Sequence, residues 1–298
     1  MTAITLLDGS IGQELMKRSG DRATPLWSTK VMIDHPEIVR QVHDAYFAAG
    51  ATVATANTYA VLRDRLERVG LQDEVARLTD TAVAAACGAR DAHGHGRVAG
   101  AIGPLVQSYK PEVCPPSDEA ARIYAEPVAL LKDRVDLLLM ETMASVDQAR
   151  GALLATKDAG LPVWLAVTVM DEDGTRLRSG EPLGDLAPLV AEFTPEAVLI
   201  NCSRPEAVAA GLDIVEKFGK PLGAYANGFS RISEGFLTDA PTVDALQQRT
   251  DLTPAIYADA AMTWIAQGAT IVGGCCEIGP DHIVELARRI REAGHGIT

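Results

Sequence analysis

Short runs of apolar and β-branched residues recur eight times along this chain, and helix-like segments separate them. This alternation constrains the fold more than any other feature. The runs cover residues 4–10, 51–59, 97–104, 135–142, 162–169, 197–203, 221–228 and 269–276. They are apolar at successive positions, as expected of strands that are covered on both faces. Strands alternating with helices predict a parallel sheet with helices packed outside it.

The segments between the runs carry helix boundary signals. Pro36, Pro254 and Pro280 can each occupy a first helical position, and Ser145 can cap a helix. Gly50 follows the last turn of the segment that Pro36 opens. These signals favour helices over loops between the predicted strands.

An eightfold repeat closes naturally into a (β/α)8 TIM barrel, so we predict an α/β fold of this type. The chain has 298 residues, of which 47% are hydrophobic, and one barrel of that length is ordinary. No linker is evident, which predicts a single domain over residues 1–298. The alternative is an open doubly wound sheet, but Gly9-Ser10-Ile11-Gly12 does not match its glycine-rich phosphate-binding motif.

Composition limits the partners and the compartment. The chain has 40 acidic and 27 basic residues, and a net charge of -13 argues against a nucleic-acid partner. No apolar stretch approaches the ~18 residues of a membrane span. The N-terminus lacks the pattern of a signal peptide, which predicts a cytoplasmic protein. Five cysteines, an odd number, fit reduced thiols better than a disulfide framework.

The longest connections follow strands, at about residues 11–35, 105–116, 170–183 and 229–251. Active sites of such barrels lie at the carboxyl ends of the strands, so we expect the functional residues there. We interpret the acidic stretch at residues 171–174 as a solvated loop, since it lacks the rest of a calcium-binding signature.

Three cysteines stand at these strand ends. Cys202 closes the sixth run, and Cys275 and Cys276 close the eighth, directly after Gly273-Gly274. The glycines would let the backbone turn so that adjacent cysteines face one ion. Three thiolates favour zinc and leave a coordination position open for a ligand.

Two other interpretations of these cysteines remain open. Buried cysteines also serve as small hydrophobic residues. Cys275 and Cys276 could instead form a vicinal redox pair, although the geometry would be strained. Cys87 lies in an alanine-rich helical segment and is expected to pack there, and Cys114 is assigned no role.

Two carboxylates end other strands. Asp8 closes the first run, and Glu141 follows a run of leucines in the fourth. An acid in this position rarely serves packing, although a capping or turn role is the alternative. Together they could hold an ammonium group near the metal.

Seven short motifs are spread over nearly the whole chain. They are Leu7-Asp8-Gly9-Ser10-Ile11-Gly12, Leu26-Trp27-Ser28, Asn57-Thr58-Tyr59, Ile102-Gly103-Pro104, Glu141-Thr142, Ile200-Asn201-Cys202 and Gly273-Gly274-Cys275-Cys276. With these motifs in this order, the chain resembles the homocysteine S-methyltransferase family, which includes betaine– and S-methylmethionine–homocysteine methyltransferases. The Asn-Cys and Gly-Gly-Cys-Cys motifs are the specific ones.

The resemblance implies a (β/α)8 barrel with Zn²⁺ held by Cys202, Cys275 and Cys276. It implies that the sulfur of homocysteine takes the fourth position, with Asp8 and Glu141 at its amino end. No further catalytic residue is expected beyond this metal site.

The resemblance also suggests residues around the methyl donor. Trp27 falls where family members place a tryptophan near the cationic head of the donor, which an aromatic face attracts. Tyr59 is expected near the zinc. Asn227 lies near a strand end and is expected to orient the backbone or a substrate.

The implied function is methyl transfer from an onium donor to homocysteine, giving methionine. A sulfonium such as S-methylmethionine is favoured over betaine because it is chemically the better methyl donor. The alternatives are a component that works with a separate corrinoid or folate partner, another thiol or selenol acceptor, and a non-catalytic zinc- or thiol-binding barrel. The oligomeric state is left open.

Overall fold

The computed structural model describes residues 2–20, 28–230 and 248–298. The predicted donor-site residue Trp27 and most of the connection at 229–251 therefore lie outside the described residues.

The strands form one parallel sheet that closes on itself. They are β1 (Ala3–Leu6), β2 (Val53–Thr55), β3 (Arg97–Ile102), β4 (Leu137–Met143), β5 (Val163–Val167), β6 (Ala197–Asn201), β7 (Leu222–Tyr225), β8 (Ile271–Val272) and β9 (Gly296–Ile297). Neighbouring strands pair in sequence order from β2 to β8, and β8 pairs with β1. A parallel bridge between Leu7 and Val53 joins β1 to β2. The predicted (β/α)8 barrel is confirmed.

Strand β9 was not predicted. Its two residues pair with the start of β1, where Ala3 faces Gly296 and Ile4 faces Ile297. The hydroxyl of Thr52, just before β2, donates to the carbonyl of Thr298 at 2.8 Å. A two-residue strand has too little pattern to be recognised in a sequence.

The helices of the described residues begin and end close to the predicted signals. They are α1 (Ile11–Ser19), α2 (Ser28–Asp34), α3 (Pro36–Ala49), α4 (Arg63–Glu67), α5 (Val75–His93), α6 (Ser117–Leu131), α7 (Val146–Thr156), α8 (Ala187–Phe193), α9 (Pro205–Val215), α10 (Pro254–Ala266) and α11 (Pro280–Glu292). Gly50 ends α3 with a left-handed φ of 107°. The Ser145 side chain accepts a hydrogen bond from the backbone N–H of Gln148, as a helix cap does. Among the described residues, no helix is long and apolar enough to cross a membrane.

The strands separate two buried layers. Alternate residues such as Leu137 and Leu139 on β4 point into the barrel and form a cluster with residues from the other strands between β1 and β8 or from their ends. The residues between them, such as Leu138 and Met140, pack against the helices. This alternation fixes which side chains face the barrel axis at the carboxyl ends of the strands.

The connection at 11–35 differs from its prediction as a long loop. Its described parts contain α1 and α2, which follow β1 directly. The glycines and charged residues of this segment interrupt the apolar periodicity from which a helix is predicted. Helix α1 places Gln13 and Glu14 beside the carboxyl end of the barrel, where Gln13 accepts from the backbone N–H of Glu277 at 2.7 Å.

Candidate active site at the carboxyl ends of the strands

A cavity of about 340 Å³ opens at the carboxyl ends of the strands. Its lining includes the predicted residues Asp8, Tyr59, Glu141, Cys202, Cys275 and Cys276. Polar side chains therefore converge from the ends of β1, β4, β6 and β8 and from the segment after β2. This is the face on which such barrels carry their active sites.

The three predicted cysteines lie together in this cavity. All three sulfur atoms are within 4.8 Å of one another. The Sγ of Cys276 lies 4.0 Å from that of Cys202 and 3.9 Å from that of Cys275. Three sulfurs around a tetrahedral ion at ~2.3 Å would be ~3.8 Å apart. These distances fit one metal ion, and no disulfide joins the thiols.

Unusual backbone geometry brings Cys202 into the cavity. On β6, Ala197 and Leu199 face the barrel interior, so strict alternation would point Cys202 outward. Cys202 instead has a left-handed φ of 48°, which redirects its side chain. Its carbonyl accepts hydrogen bonds from the Thr168 hydroxyl at 3.1 Å and from Arg178 Nη2 at 3.4 Å.

The two glycines before Cys275 allow close packing. A Cβ on Gly273 would lie 2.4 Å from the Cβ of Leu7, and one on Gly274 would lie 2.2 Å from Ile278. Neither glycine has a positive φ, so glycine is required here because a side chain would collide with its neighbours, not because of the backbone conformation. The left-handed residue of this turn is Glu277, with a φ of 64°.

The electrostatics of the thiols also suit a cation. Hydrogen bonds from Cys275 and Cys276 lower the pKa of Cys202 well below its usual range. The hydrogen bonds with Cys202 raise the pKa of Cys275 and of Cys276 well above theirs, and burial adds to this. The close approach of the three sulfur atoms thus couples their ionisation. Ionising all three at this spacing needs a positive charge between them, which a divalent metal would supply.

Asp8 is held by the strand beside it. Its carboxylate accepts from the backbone N–H of Thr55 at 2.6 Å and from the Thr55 hydroxyl at 2.8 Å. The side chain is almost fully buried, and burial raises its pKa from 3.8 to about 7 in spite of these bonds. Among the described residues, no cationic side chain forms an ion pair with it.

Glu141 lines the same cavity as Asp8. It continues the inward-facing series of Leu137 and Leu139, and the pairing of β4 with β5 is irregular between Met140 and Met143. The Tyr225 hydroxyl donates to Glu141 Oε1 at 2.9 Å. Burial nevertheless raises the pKa of Glu141 to about 8. The cavity thus holds two carboxyl groups whose ionisation a bound cation would favour.

The other predicted residues are placed differently. The Tyr59 hydroxyl shares a 2.7 Å hydrogen bond with the Ser108 hydroxyl, and Tyr59 lines the cavity. Asn227 is buried but is not among the lining residues, and its amide oxygen accepts from the backbone N–H of Phe229 at 3.3 Å. Its described contact is with the backbone.

Sequence reasoning missed several residues that support the site. Tyr225 and Thr55 bind the two carboxylates, and Tyr109 hydrogen-bonds to the thiol of Cys202. Tyr225 carried a usable signal, because it is a polar aromatic residue at the carboxyl end of a strand, β7.

The acidic stretch at residues 171–174 is only partly the solvated loop that was predicted. Glu172 is exposed, whereas Asp171 lies largely buried in an ion pair with Arg178 at 2.7 Å. A salt bridge within one loop leaves no periodic pattern in the sequence.

The chain is similar to known proteins over nearly its whole length. The family model described as homocysteine S-methyltransferase matches residues 5–290. The Escherichia coli homocysteine S-methyltransferase is 30% identical to this chain, with 96% of this chain and 95% of the relative covered. Homocysteine S-methyltransferase YbgG of Bacillus subtilis is 27% identical, with 95% and 93% covered.

A solved structure is also similar. The metallated form of the homocysteine methyltransferase MmuM from Escherichia coli superposes with a TM-score of 0.79 at 27% identity, covering 97% of this chain and 96% of that one. The family model, the relatives and this structure agree over nearly the whole chain. The chain therefore belongs to the homocysteine S-methyltransferase family, as its motifs indicated.

Proposed function

We propose that this methyltransferase moves a methyl group from a sulfonium donor to homocysteine, with zinc held by Cys202, Cys275 and Cys276. The observation that carries the proposal is the position of three thiols, all within 4.8 Å, in a cavity that also contains two buried carboxyl groups with raised pKa values. An all-sulfur donor set favours zinc over the hard cations that prefer oxygen ligands. Three protein ligands leave one position for the acceptor sulfur.

The acceptor would bind by both of its ends. Zinc, when bound, would lower the pKa of the acceptor thiol so that the thiolate is available at neutral pH. Asp8 and Glu141 would bind the ammonium group of homocysteine, and the positive charge would favour their ionised forms. Thr55 and Tyr225 hold the two carboxylates in place through hydrogen bonds of 2.6 to 2.9 Å.

The donor would lie on the aromatic part of the cavity. Tyr59, Tyr109 and Tyr225 line it, and aromatic faces attract an onium group. We include Trp27 in this donor site on the family resemblance. Asn227 would act by orienting the backbone beside Phe229.

The transfer itself needs no protein base. The acceptor thiol releases its proton when it binds, the thiolate sulfur forms a bond to the methyl carbon, and the bond from that carbon to the sulfonium sulfur breaks. The donor leaves as a neutral thioether. The protein contributes alignment and exclusion of water, which suits a cavity without a histidine among its lining residues.

The test is turnover with defined donors. The zinc-loaded, reduced protein is incubated with homocysteine and, separately, S-methylmethionine, S-adenosylmethionine, dimethylsulfoniopropionate or glycine betaine, and methionine is measured by mass spectrometry. We expect turnover with a sulfonium. Turnover with betaine alone would reject the sulfonium donor.

Two further controls separate the alternatives. Cys87, partly buried on α5, provides a matched cysteine: Cys87→Ala should keep zinc and turnover, which Cys202→Ala should lose. Selenohomocysteine in place of homocysteine tests a selenol acceptor. Bound zinc without turnover on any donor would favour a corrinoid or folate partner or a non-catalytic barrel. Because all five cysteines are free, we also propose a reducing compartment such as the cytoplasm.

A further inference from the structure

The loop after β5 reaches over the end of β6 and contacts the backbone of Cys202. Its backbone folds back on itself, with an antiparallel bridge between Val169 and Leu177. The fold-back places the side chain of Arg178 against the strand end that carries Cys202.

Arg178 is unusually confined for an arginine. Its side chain is 11% exposed, and it donates to both carboxylate oxygens of Asp171, at 2.7 and 3.3 Å. Asp171 is itself 10% exposed. A bidentate pair of this kind fixes the plane of the guanidinium group.

The same guanidinium group reaches Cys202 by two routes. Nη2 donates to the carbonyl of Cys202 at 3.4 Å, and Nε donates to the hydroxyl of Thr168 at 3.1 Å. That hydroxyl in turn donates to the same carbonyl at 3.1 Å. Two donors thus bind this one carbonyl, at a residue with a left-handed φ of 48°. A non-glycine residue stays in that conformation only where its surroundings enforce it.

Arg178 has one further contact at the site. Its guanidinium carbon lies 5.1 Å from the centre of the Tyr109 ring, within the range of a cation–π contact. Tyr109 also has a left-handed φ, of 64°, and hydrogen-bonds to the thiol of Cys202. The arginine therefore supports both the backbone of Cys202 and a neighbour of its sulfur.

We propose that Arg178, held by Asp171, is a positioning residue that sets the direction of the Cys202 thiol and thereby the metal affinity of the three-cysteine site. This inference rests on the proposed metal site. Without Arg178 the carbonyl of Cys202 keeps the Thr168 hydroxyl as its one donor among the described residues. The left-handed backbone is then less favoured, and the thiol turns away from Cys275 and Cys276.

The experiment measures metal binding directly. Arg178→Met keeps much of the side-chain length and removes the hydrogen bonds. Zinc affinity is measured by competition with a chromophoric chelator, and Co²⁺ is used as a probe whose sulfur-to-metal absorption reports the number of bound thiolates. We expect Arg178→Met to bind zinc about 10- to 100-fold more weakly, as is typical when a partner of a metal ligand is removed. The Co²⁺ absorption per ion should fall.

Two variants keep the test decisive. Arg176 lies in the same loop, is half exposed and pairs with Asp173, so Arg176→Met should leave the zinc affinity unchanged. Arg178→Lys keeps the charge but cannot donate in two directions at once, so it should bind zinc with intermediate affinity. If Arg178→Met fails to fold, Arg178→Lys decides the matter.

The outcomes separate this inference from the proposed function. A wild-type protein that binds neither zinc nor Co²⁺ would overturn the metal site itself. If the wild type binds both ions, and the Arg178 variants bind zinc within twofold of the wild-type affinity and show the wild-type Co²⁺ spectrum, only the role of Arg178 would be overturned.

Discussion

Replacing Asp8 by asparagine should stabilise the free protein above neutral pH while weakening acceptor binding. The carboxylate is buried, and its pKa of about 7 lies roughly three units above the ordinary value of 3.8. Each unit corresponds to about 1.4 kcal/mol, so ionised Asp8 lowers the free energy of unfolding by about 4 kcal/mol. Asparagine is neutral at all these pH values, and it can keep both contacts by accepting from the N–H of Thr55 and donating to its hydroxyl.

The pH dependence of the stability difference follows from the raised pKa of Asp8 in the folded protein. Well below pH 3.8 the carboxyl group is protonated in both folded and unfolded chains, and the two proteins should be equally stable. As the pH rises from 4 to 7, the unfolded chain loses this proton first, so the wild type loses stability. Above pH 7 the difference should level off at about 4 kcal/mol in favour of Asp8→Asn.

Urea unfolding of the reduced, metal-free proteins at pH 4.5 and pH 8 measures this difference. Asp44→Asn is the control, because Asp44 is half exposed and pairs only at the surface with Arg40, a contact worth at most about 1 kcal/mol. Equal stability of the wild type and Asp8→Asn at pH 8 would refute the argument from burial.

The same substitution should have the opposite effect on acceptor binding, which it should weaken. Loss of one charged hydrogen bond to the ammonium group, about 1.5–3 kcal/mol, should raise the KM for homocysteine by about 10- to 100-fold. The KM for the donor should change little. An unchanged KM for homocysteine would remove Asp8 from the acceptor site, whatever its effect on stability.

Three other substitutions test the rest of the site. Cys275→Ala should abolish zinc binding and methyl transfer together, and retained turnover measured by methionine formation would reject the metal site. Tyr225→Phe removes a donor to Glu141, so the pKa of that carboxyl should rise further. The acid limb of the pH profile of kcat/KM for homocysteine should then move to higher pH. A profile identical to that of the wild type would count against this contact. Gly274→Ala should lower the free energy of unfolding by about 1–3 kcal/mol through overpacking, whereas Gly184→Ala, which meets open space, should not; calorimetry distinguishes them.

The barrel and the cysteine cluster follow from the sequence for the same reason. The apolar runs and the signals at Pro36, Ser145 and Pro254 predict helices outside a parallel sheet, and the structure has helices beginning there. Once the sheet closes, the ends of the sixth and eighth strands must be near each other. The sequence therefore places Cys202 and Cys275 at nearby strand ends on the same face of the barrel.

The supporting contacts could not be predicted because they depend on local backbone geometry. The pattern of β6 points Cys202 outward, and only its left-handed φ turns it inward. Arg178 and Tyr109 contact one another from different loops, and nothing in their spacing indicates it. Strand β9 is held by pairing with β1 rather than by any apolar pattern of its own.

The left-handed residues around the cavity have a consequence for attempts to make this enzyme more heat-resistant. Val106, Tyr109, Thr142 and Cys202 line the cavity with φ between 48° and 64°. Glycine at Val106 or Thr142 would relieve about 1–2 kcal/mol of backbone strain, and an algorithm that rewards relaxed dihedrals would select it. Such a change would also free the segment that aims the reacting groups. Substitutions that raise thermal stability should therefore be sought in the outer helices, where stability and activity do not compete.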